Sequence, residues 1–213
     1  VNNDEATVAI REAFKKYIAD MFKLYGFSAE QAEEKAQAVF QHETMLALIS
    51  KSATELRNPQ ANYNKMTLKE FQSSYPNLHL EEMCNAEGIK SEFIQDMIVG
   101  QPAFMEGLDK ITAAESAATL KALMEWDVIT SSAAYLTDEI RECNFDFFGK
   151  TMSGRKEDYP LWKRAVNQVQ SQMGEPLGRM YCKRYFPESS KKIMQTLVKN
   201  LQISLGQRID AQT

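Results

Sequence analysis

Apolar side chains recur along this chain at the spacing of helical faces. Ile10, Phe14, Tyr17, Ile18 and Met21 make one face, and Gly26 is a natural C-terminal stop. Ser28 with Gln31 is a capping-box signature that opens a second helix. Its inner stripe is Ala32, Ala36, Val39, Phe40, Leu46 and Ile49. That helix is expected to end before Asn58-Pro59, because a residue preceding proline is pushed out of the helical region. The pair predicts an antiparallel helical hairpin.

Asn58 to Asn64 reads as a loop rich in turn residues. Thr67 with Glu70 is a second capping box, opening a short helix through Leu68 and Phe71 that Pro76 ends. Leu78, Leu80 and Met83 suggest another short helix, closed by Gly88. Phe93 to Gln101 fits either a helix end or a brief extended run. Pro102 suits the first turn of a helix carrying Phe104, Met105, Leu108 and Ile111. Residues 113–130 are rich in helix formers, with Leu120, Leu123 and Met124 expected inward. A further helix is expected over about 131–148, carrying Ala134, Tyr135, Ile140 and the Phe145-Asp146-Phe147-Phe148 cluster. An exposed loop is expected over 149–158.

From Tyr159 to Pro187 the pattern starts, pauses and resumes. Asp158 can cap the start and Pro160 suits a first turn. Leu161, Ala165, Val166, Val169 and Met173 recur at helical spacing. Gly174, Pro176 and Gly178 interrupt, then Leu177, Met180, Tyr181, Tyr185 and Phe186 continue to Pro187. Glu188-Ser189-Ser190 opens a last helix with Ile193, Leu197, Leu201, Ile203 and Leu205 on its face. The fold class is therefore all-α, eight to ten helices in hairpins packed around one core, with no significant sheet.

At 213 residues the chain is one large domain or two small ones. Apolar residues make up 44% and charged residues 25%, ordinary for a globular protein. The net charge of −4, with no basic run longer than the Lys191-Lys192 pair, argues against a nucleic-acid partner. No stretch is apolar enough to span a bilayer, and no signal peptide is evident. The start at Val1-Asn2-Asn3-Asp4 is compatible with processing or trimming. Cys84, Cys143 and Cys182 are odd in number and widely spaced, so they imply neither a zinc ribbon nor a disulfide framework; buried free thiols are expected.

The candidate chemistry is thin. His42-Glu43-Thr44-Met45-Leu46 begins like the zincin H-E-x-x-H, in which two histidines one turn apart hold zinc and the glutamate activates water. Leu46 occupies the second histidine position, and His79 is assigned to another helix. His42 is therefore expected as a surface or partly buried histidine. Glu33-Glu34, Glu81-Glu82 and Asp138-Glu139 are neighbours pointing apart on helices, so solvated faces are expected. Ser131-Ser132 and Ser189-Ser190 fit helix starts better than nucleophiles. Gly174 and Gly178 suggest a kink or close helix contact rather than a phosphate cradle. Trp162-Lys163-Arg164 suggests an aromatic packed on the core beside cations that reach solvent, and the 11 methionines suggest core filling.

The order of certain residues adds more. Pro160-x-Trp162-Lys163-Arg164, followed by Gly174-Glu175-x-Leu177-Gly178-x-x-Tyr181-x-x-x-Tyr185-Phe186-Pro187, resembles the non-catalytic N-terminal lobe of the neprilysin-like zinc metallopeptidases. That family includes the endothelin-converting enzymes and the bacterial PepO-type oligopeptidases. Arg57-Asn58-Pro59, with Tyr63-Asn64-Lys65-Met66-Thr67, resembles a second landmark. The resemblance covers most of the chain. It implies two mainly helical lobes around a cavity, with zinc, the H-E-x-x-H and the substrate-holding segment in the other lobe.

Residues 1–213 would then be one helical domain, a fragment of the cap lobe that limits substrates to short peptides. The catalytic lobe of the same polypeptide would be its partner. The resemblance assigns no catalytic and no metal residue to this chain, leaves the substrate-binding residues open, and places zinc in the missing lobe. It slightly favours an extracytoplasmic setting, periplasmic or secreted, and the few cysteines look more like a bacterial member. The alternative is a free-standing helical module that binds a protein or peptide without catalysis. A lobe cut from an enzyme should expose an apolar patch larger than monomers tolerate.

Overall fold

A computed structural model describes residues 3–212; Val1, Asn2 and Thr213, at the two ends considered above, lie outside the described residues. Ten α-helices and one two-stranded sheet make up the regular structure of the described residues, so the protein is all-α in class. The chain divides into two compact units, residues 1–157 and 158–213.

The first unit is built on helices α1 (Glu5–Tyr25) and α2 (Ala29–Ile49), which pack side by side. Asp4 caps α1 by accepting the Thr7 N–H at 2.9 Å, and Gly26 ends it at φ 117°, a conformation that suits glycine. The Ser28–Gln31 capping box is formed in full. Tyr17, Ile18, Met21 and Phe22 of α1 are buried against Ala32, Ala36 and Val39 of α2. Each large apolar side chain so enclosed contributes about 1.5–3 kcal/mol. Small residues on α2 leave room for aromatic ones: the Tyr17 and Phe147 rings stack at 4.9 Å, and Trp126 meets Tyr17 edge-on at 5.4 Å.

The core is completed by α6 (Ala117–Ser132), α7 (Asp138–Phe145) and a π-helical turn, Asp146–Met152. A Cβ on Gly149 would stand 2.2 Å from Phe145 Cε2, so the Phe145 ring lies where only glycine leaves space. A satellite cluster sits beside the small sheet. Strand β1 (Lys65–Thr67) pairs antiparallel with β2 (Asp96–Ile98), Met66 opposite Met97. Helices α3 (Leu68–Ser74) and α5 (Pro102–Ala114) flank this cluster, and Phe71, Tyr75 and Val99 are its buried centre. The short α4 (Leu80–Ala86) follows α3, with Gly88 at φ 76° just beyond it.

Helix α2 stops at Ile49, before Asn58-Pro59 as expected, and a 3-10 turn, Glu55–Arg57, lies between them. Other expectations are corrected. The helix expected over 113–130 is interrupted: α5 ends at Ala114 and Ser116 caps α6 by accepting the Thr119 N–H. On α6 the buried residues are Ala122 and Ile129, while Met124 is 71% exposed and Leu120 also faces out. The helix expected over 131–148 is a 3-10 turn, α7 and the π-helical turn, which also takes in residues assigned to a loop. Ser131-Ser132 therefore closes α6 rather than opening a helix.

The second unit consists of α8 (Leu161–Gln172), α9 (Gly174–Tyr185) and α10 (Glu188–Asp210). Met173 breaks α8 from α9, as the glycine and proline spacing implies. Pro160 is the N-cap of α8, and Asp158 instead accepts the Tyr159 N–H. Nothing lies within 4 Å of a Cβ added to Gly174 or Gly178, so no close helix contact explains them. No described side chain of this unit is buried. Trp162, expected against a core, is 67% exposed, and Lys163 Nζ lies 4.1 Å from the Tyr159 ring centre. Core filling accounts for few methionines: Met21 is fully buried, whereas Met124, Met173 and Met180 are exposed.

Candidate functional site

Helix α2 carries the one local motif that hints at chemistry. His42 projects towards the break between α5 and α6, and its Nδ1 lies 2.6 Å from Glu115 Oε1. Both side chains are largely enclosed, at 16% and 6% exposure. Glu115 is the C-cap residue of α5, so the helix break aims its carboxylate. The other oxygen, Oε2, is buried without a partner in the protein. His79 is the left-handed residue ahead of α4, at φ 47°, and its imidazole faces Glu82 at 3.7 Å. No three histidine, cysteine or carboxylate side chains converge among the described residues. With Leu46 on the turn after His42, and Glu115 already engaging His42, these residues do not fit a zinc ion.

A groove of about 570 Å³ runs along α1, α7 and the π-helical turn, lined among others by Lys16, Tyr17, Asp20, Cys143 and Asp146. Its groups are poor catalysts. Burial, and then the Asp20 carboxylate, push the Cys143 thiol up to about 11, so it stays protonated near neutrality. Burial also holds the Tyr17 phenol far above its ordinary range, and that hydroxyl donates to Asn144 Oδ1 at 2.7 Å. Cys84 and Cys143 are half-buried and Cys182 is exposed, which corrects the expectation of three buried thiols; all three are free.

The paired carboxylates divide. Glu33, Glu34, Glu82, Asp138 and Glu139 are exposed, as expected. Glu81 is partly covered, accepting from Ser91 Oγ at 2.6 Å and Gln72 Nε2 at 2.8 Å, bonds that hold its pKa down. Sequence patterning missed Asp109, which is buried on α5 and accepts from the Asn77 N–H at 2.7 Å and Asn77 Nδ2 at 2.9 Å. With Glu106 and Lys110 near it in the sequence, no local pattern marks it as buried.

The Arg57–Thr67 segment has a clear structural role. Asn58 Oδ1 accepts from the Gln60 and Ala61 N–H groups, both at 3.1 Å, closing an Asx turn. Asn62 Nδ2 donates to Leu56 O, and Asn64 Nδ2 donates to Ala61 O and to Val99 O. The Val99 N–H returns to Asn64 O at 2.8 Å, extending the β1–β2 ladder by one rung. Residues that look like a sequence landmark are thus the clamp of the small sheet.

This arrangement recurs in known proteins. The model of peptidase family M13 matches residues 1–213. The chain belongs to peptidase family M13, as its N-terminal lobe. It is 27% identical over 212 residues to endothelin-converting enzyme-like 1 of Rattus norvegicus, covering 97% of this chain and 27% of that protein. It is 25% identical over 199 residues to a neutral endopeptidase of Lactobacillus helveticus, covering 93% and 30%. Among solved structures it is similar to the zinc metalloprotease Zmp1 of Mycobacterium tuberculosis in its open state, with TM-score 0.84, 28% identity, and coverage of 94% of this chain and 31% of that one. The chain therefore spans about a third or less of the length of these M13 relatives. No described helix is long and apolar enough to cross a membrane.

Proposed function

We propose that this chain is the cap lobe of a zinc-dependent endopeptidase or oligopeptidase, narrowing access to a cavity so that short peptides are cut. The family match over residues 1–213 carries the reading, and the fold likeness to Zmp1 supports it. In this reading the zinc-binding residues and the peptide-cleaving chemistry reside in the remaining lobe of the same polypeptide. The lobe described here contributes walls rather than reacting groups: the Cys143 thiol in its groove is held protonated and its enclosed His42 is engaged by a carboxylate. An extracytoplasmic setting, periplasmic or secreted, accompanies the proposal; fractionation of the source cells tests it.

The test is made on the natural polypeptide and on residues 1–213 side by side. The complete polypeptide is expected to bind one zinc, to cleave short peptides, to lose activity on chelation, and to spare folded proteins. Residues 1–213 are expected to do none of these. A complete polypeptide without zinc or peptidase activity sinks the proposal and leaves the free-standing binding module as the reading to pursue. Cleavage of folded proteins at rates matching short peptides removes the cap role alone.

A further inference from the structure

The small sheet leaves one edge open. The Leu68 N–H donates to Gln95 O at 3.0 Å and the Val99 N–H to Asn64 O at 2.8 Å, on either side of the Met66–Met97 pair. In an antiparallel ladder only every second residue turns its backbone groups to the partner. Those of Gln95, Met97 and Val99 therefore face β1, and the N–H and C=O of Asp96 and Ile98 face away. Among the described residues, no hydrogen bond meets these four outward groups. The outer edge of β1 differs, because its Thr67 N–H already donates to Glu70 Oε2 at 2.7 Å. Residues 158–213 hold helices only among the described residues, and supply no strand.

Natural sheets guard such an edge with lysine, proline or a bulge. The run Gln95-Asp96-Met97-Ile98-Val99 has no lysine or proline, and its register with β1 has no bulge. Asp96 is its single charge. Residues 64–101 around it carry three lysines against six carboxylates. Side chains alternate along the strand: Met97, like Met66, packs on the cluster of Phe71, Tyr75 and Val99, so Asp96 and Ile98 share the opposite face.

We propose that the outer edge of β2 binds an extended cationic peptide as a third strand. The inference rests on the reading of this chain as a lobe of a peptidase, and the occupant is then a stretch of substrate. Backbone groups recurring about 7 Å apart match the main chain of an extended peptide. The acidic surroundings favour basic side chains on it, and Ile98 offers an apolar neighbour on the same face as Asp96. A second copy would set one acidic edge against another, which like-charge repulsion opposes.

The test is amide hydrogen exchange in the complete polypeptide, with zinc chelated so that the probe stays intact. The probe is a capped hexapeptide of alternating lysine and valine. At about ten times its Kd, exchange at Asp96 and Ile98 is expected to slow about tenfold. The Val99 amide, already bonded to Asn64 O, should not change. A peptide methylated at every backbone nitrogen keeps the side chains without the donors and should have no effect. A peptide alternating glutamate and valine should also have none. Ile98→Pro removes an outward donor and should abolish the slowing at Asp96, with unchanged Val99 exchange showing that the sheet is intact.

Absence of slowing with the lysine peptide overturns the inference, as does equal slowing with the methylated or the glutamate peptide. Asp96 and Ile98 amides that are slow before any peptide is added overturn it too. They assign the edge to the rest of the polypeptide, or to a second copy where the slowing follows protein concentration with a doubled mass. Zinc content and peptide cleavage are read on an unchelated portion. Slowing by the probe without zinc or cleavage sinks the peptidase reading and leaves a peptide-binding edge. Zinc and cleavage without slowing sink this inference alone.

Discussion

His42 Nδ1 and Glu115 Oε1 lie 2.6 Å apart although 73 residues separate them, so one contact ties α2 to the point where α5 gives way to α6. The carboxylate is the more enclosed partner, and its second oxygen already lacks a partner in the protein. Removing the imidazole therefore strands a buried acceptor. His42→Ala is expected to cost about 2 kcal/mol in urea unfolding. His42→Gln, which keeps a donor on a similar stem, should recover part of that. A loss below about 0.5 kcal/mol for His42→Ala would show that the carboxylate is adequately solvated and that the pair is incidental.

Gly149 and Gly107 make a controlled comparison. A Cβ at Gly149, itself a buried residue, meets Phe145 Cε2 and Cδ2 at 2.2 and 2.3 Å. A Cβ at Gly107 meets Ile49 Cδ1, Cγ2 and Cβ at 2.9, 3.0 and 3.2 Å, a milder overlap that a shift of a few tenths of an ångström relieves. Both positions are helical, so alanine gains about 1 kcal/mol of propensity at each. Gly149→Ala is expected to be destabilising by about 2 kcal/mol net, because the Phe145 ring must leave its place. Gly107→Ala should change stability by less than about 1 kcal/mol. Equal melting temperatures for the two variants would refute the steric account.

Asn64 is expected to control the small sheet without touching the main core. Its side chain holds Ala61 O and Val99 O together, and its backbone carries the last rung of the ladder. Asn64→Ala should cost about 1–2 kcal/mol. The effect should be local: faster amide exchange at Val99 and at Met66 and Met97, with α1 and α2 unchanged. Uniform loosening of both clusters would mean that the sheet and the main core unfold as one.

These particulars show which parts of the fold were legible in advance. The Ser28–Gln31 and Thr67–Glu70 boxes were readable because capping is settled within four residues. The break at Met173 and the stop at Pro187 were readable for the same reason. Periodicity says which residues share a face, but not whether anything covers that face. Trp162 and Met124 therefore sat in good helical stripes and proved exposed. Strand β1 was invisible because three residues carry no period and its partner lies about thirty residues on. The His42–Glu115 and Asp109–Asn77 contacts depend on the path of the chain between their partners, which no local pattern encodes. Asn58 and Asn64 were noticed as part of a family landmark; their role as a clamp is a matter of geometry.

Cys143 gives a pH-dependent outcome. Burial first, and the Asp20 carboxylate second, raise its thiol from the ordinary 9.0 to about 11, partly offset by Lys16. The folded protein therefore holds this proton more tightly than the unfolded chain does. The associated stability is complete below about pH 9 and is lost as pH climbs through about 11. Alkylation follows the same order, since the thiolate is the reactive form. Iodoacetamide at pH 8 should label exposed Cys182 first and Cys143 slowly, with the Cys143 rate rising about tenfold per pH unit towards pH 11. Cys143→Ser should flatten stability over that alkaline window while leaving it tilted by the remaining titrating groups. Peptide mapping that found Cys143 labelled as fast as Cys182 at pH 8 would mean that the groove along α1 and α7 opens far enough to solvate the thiol.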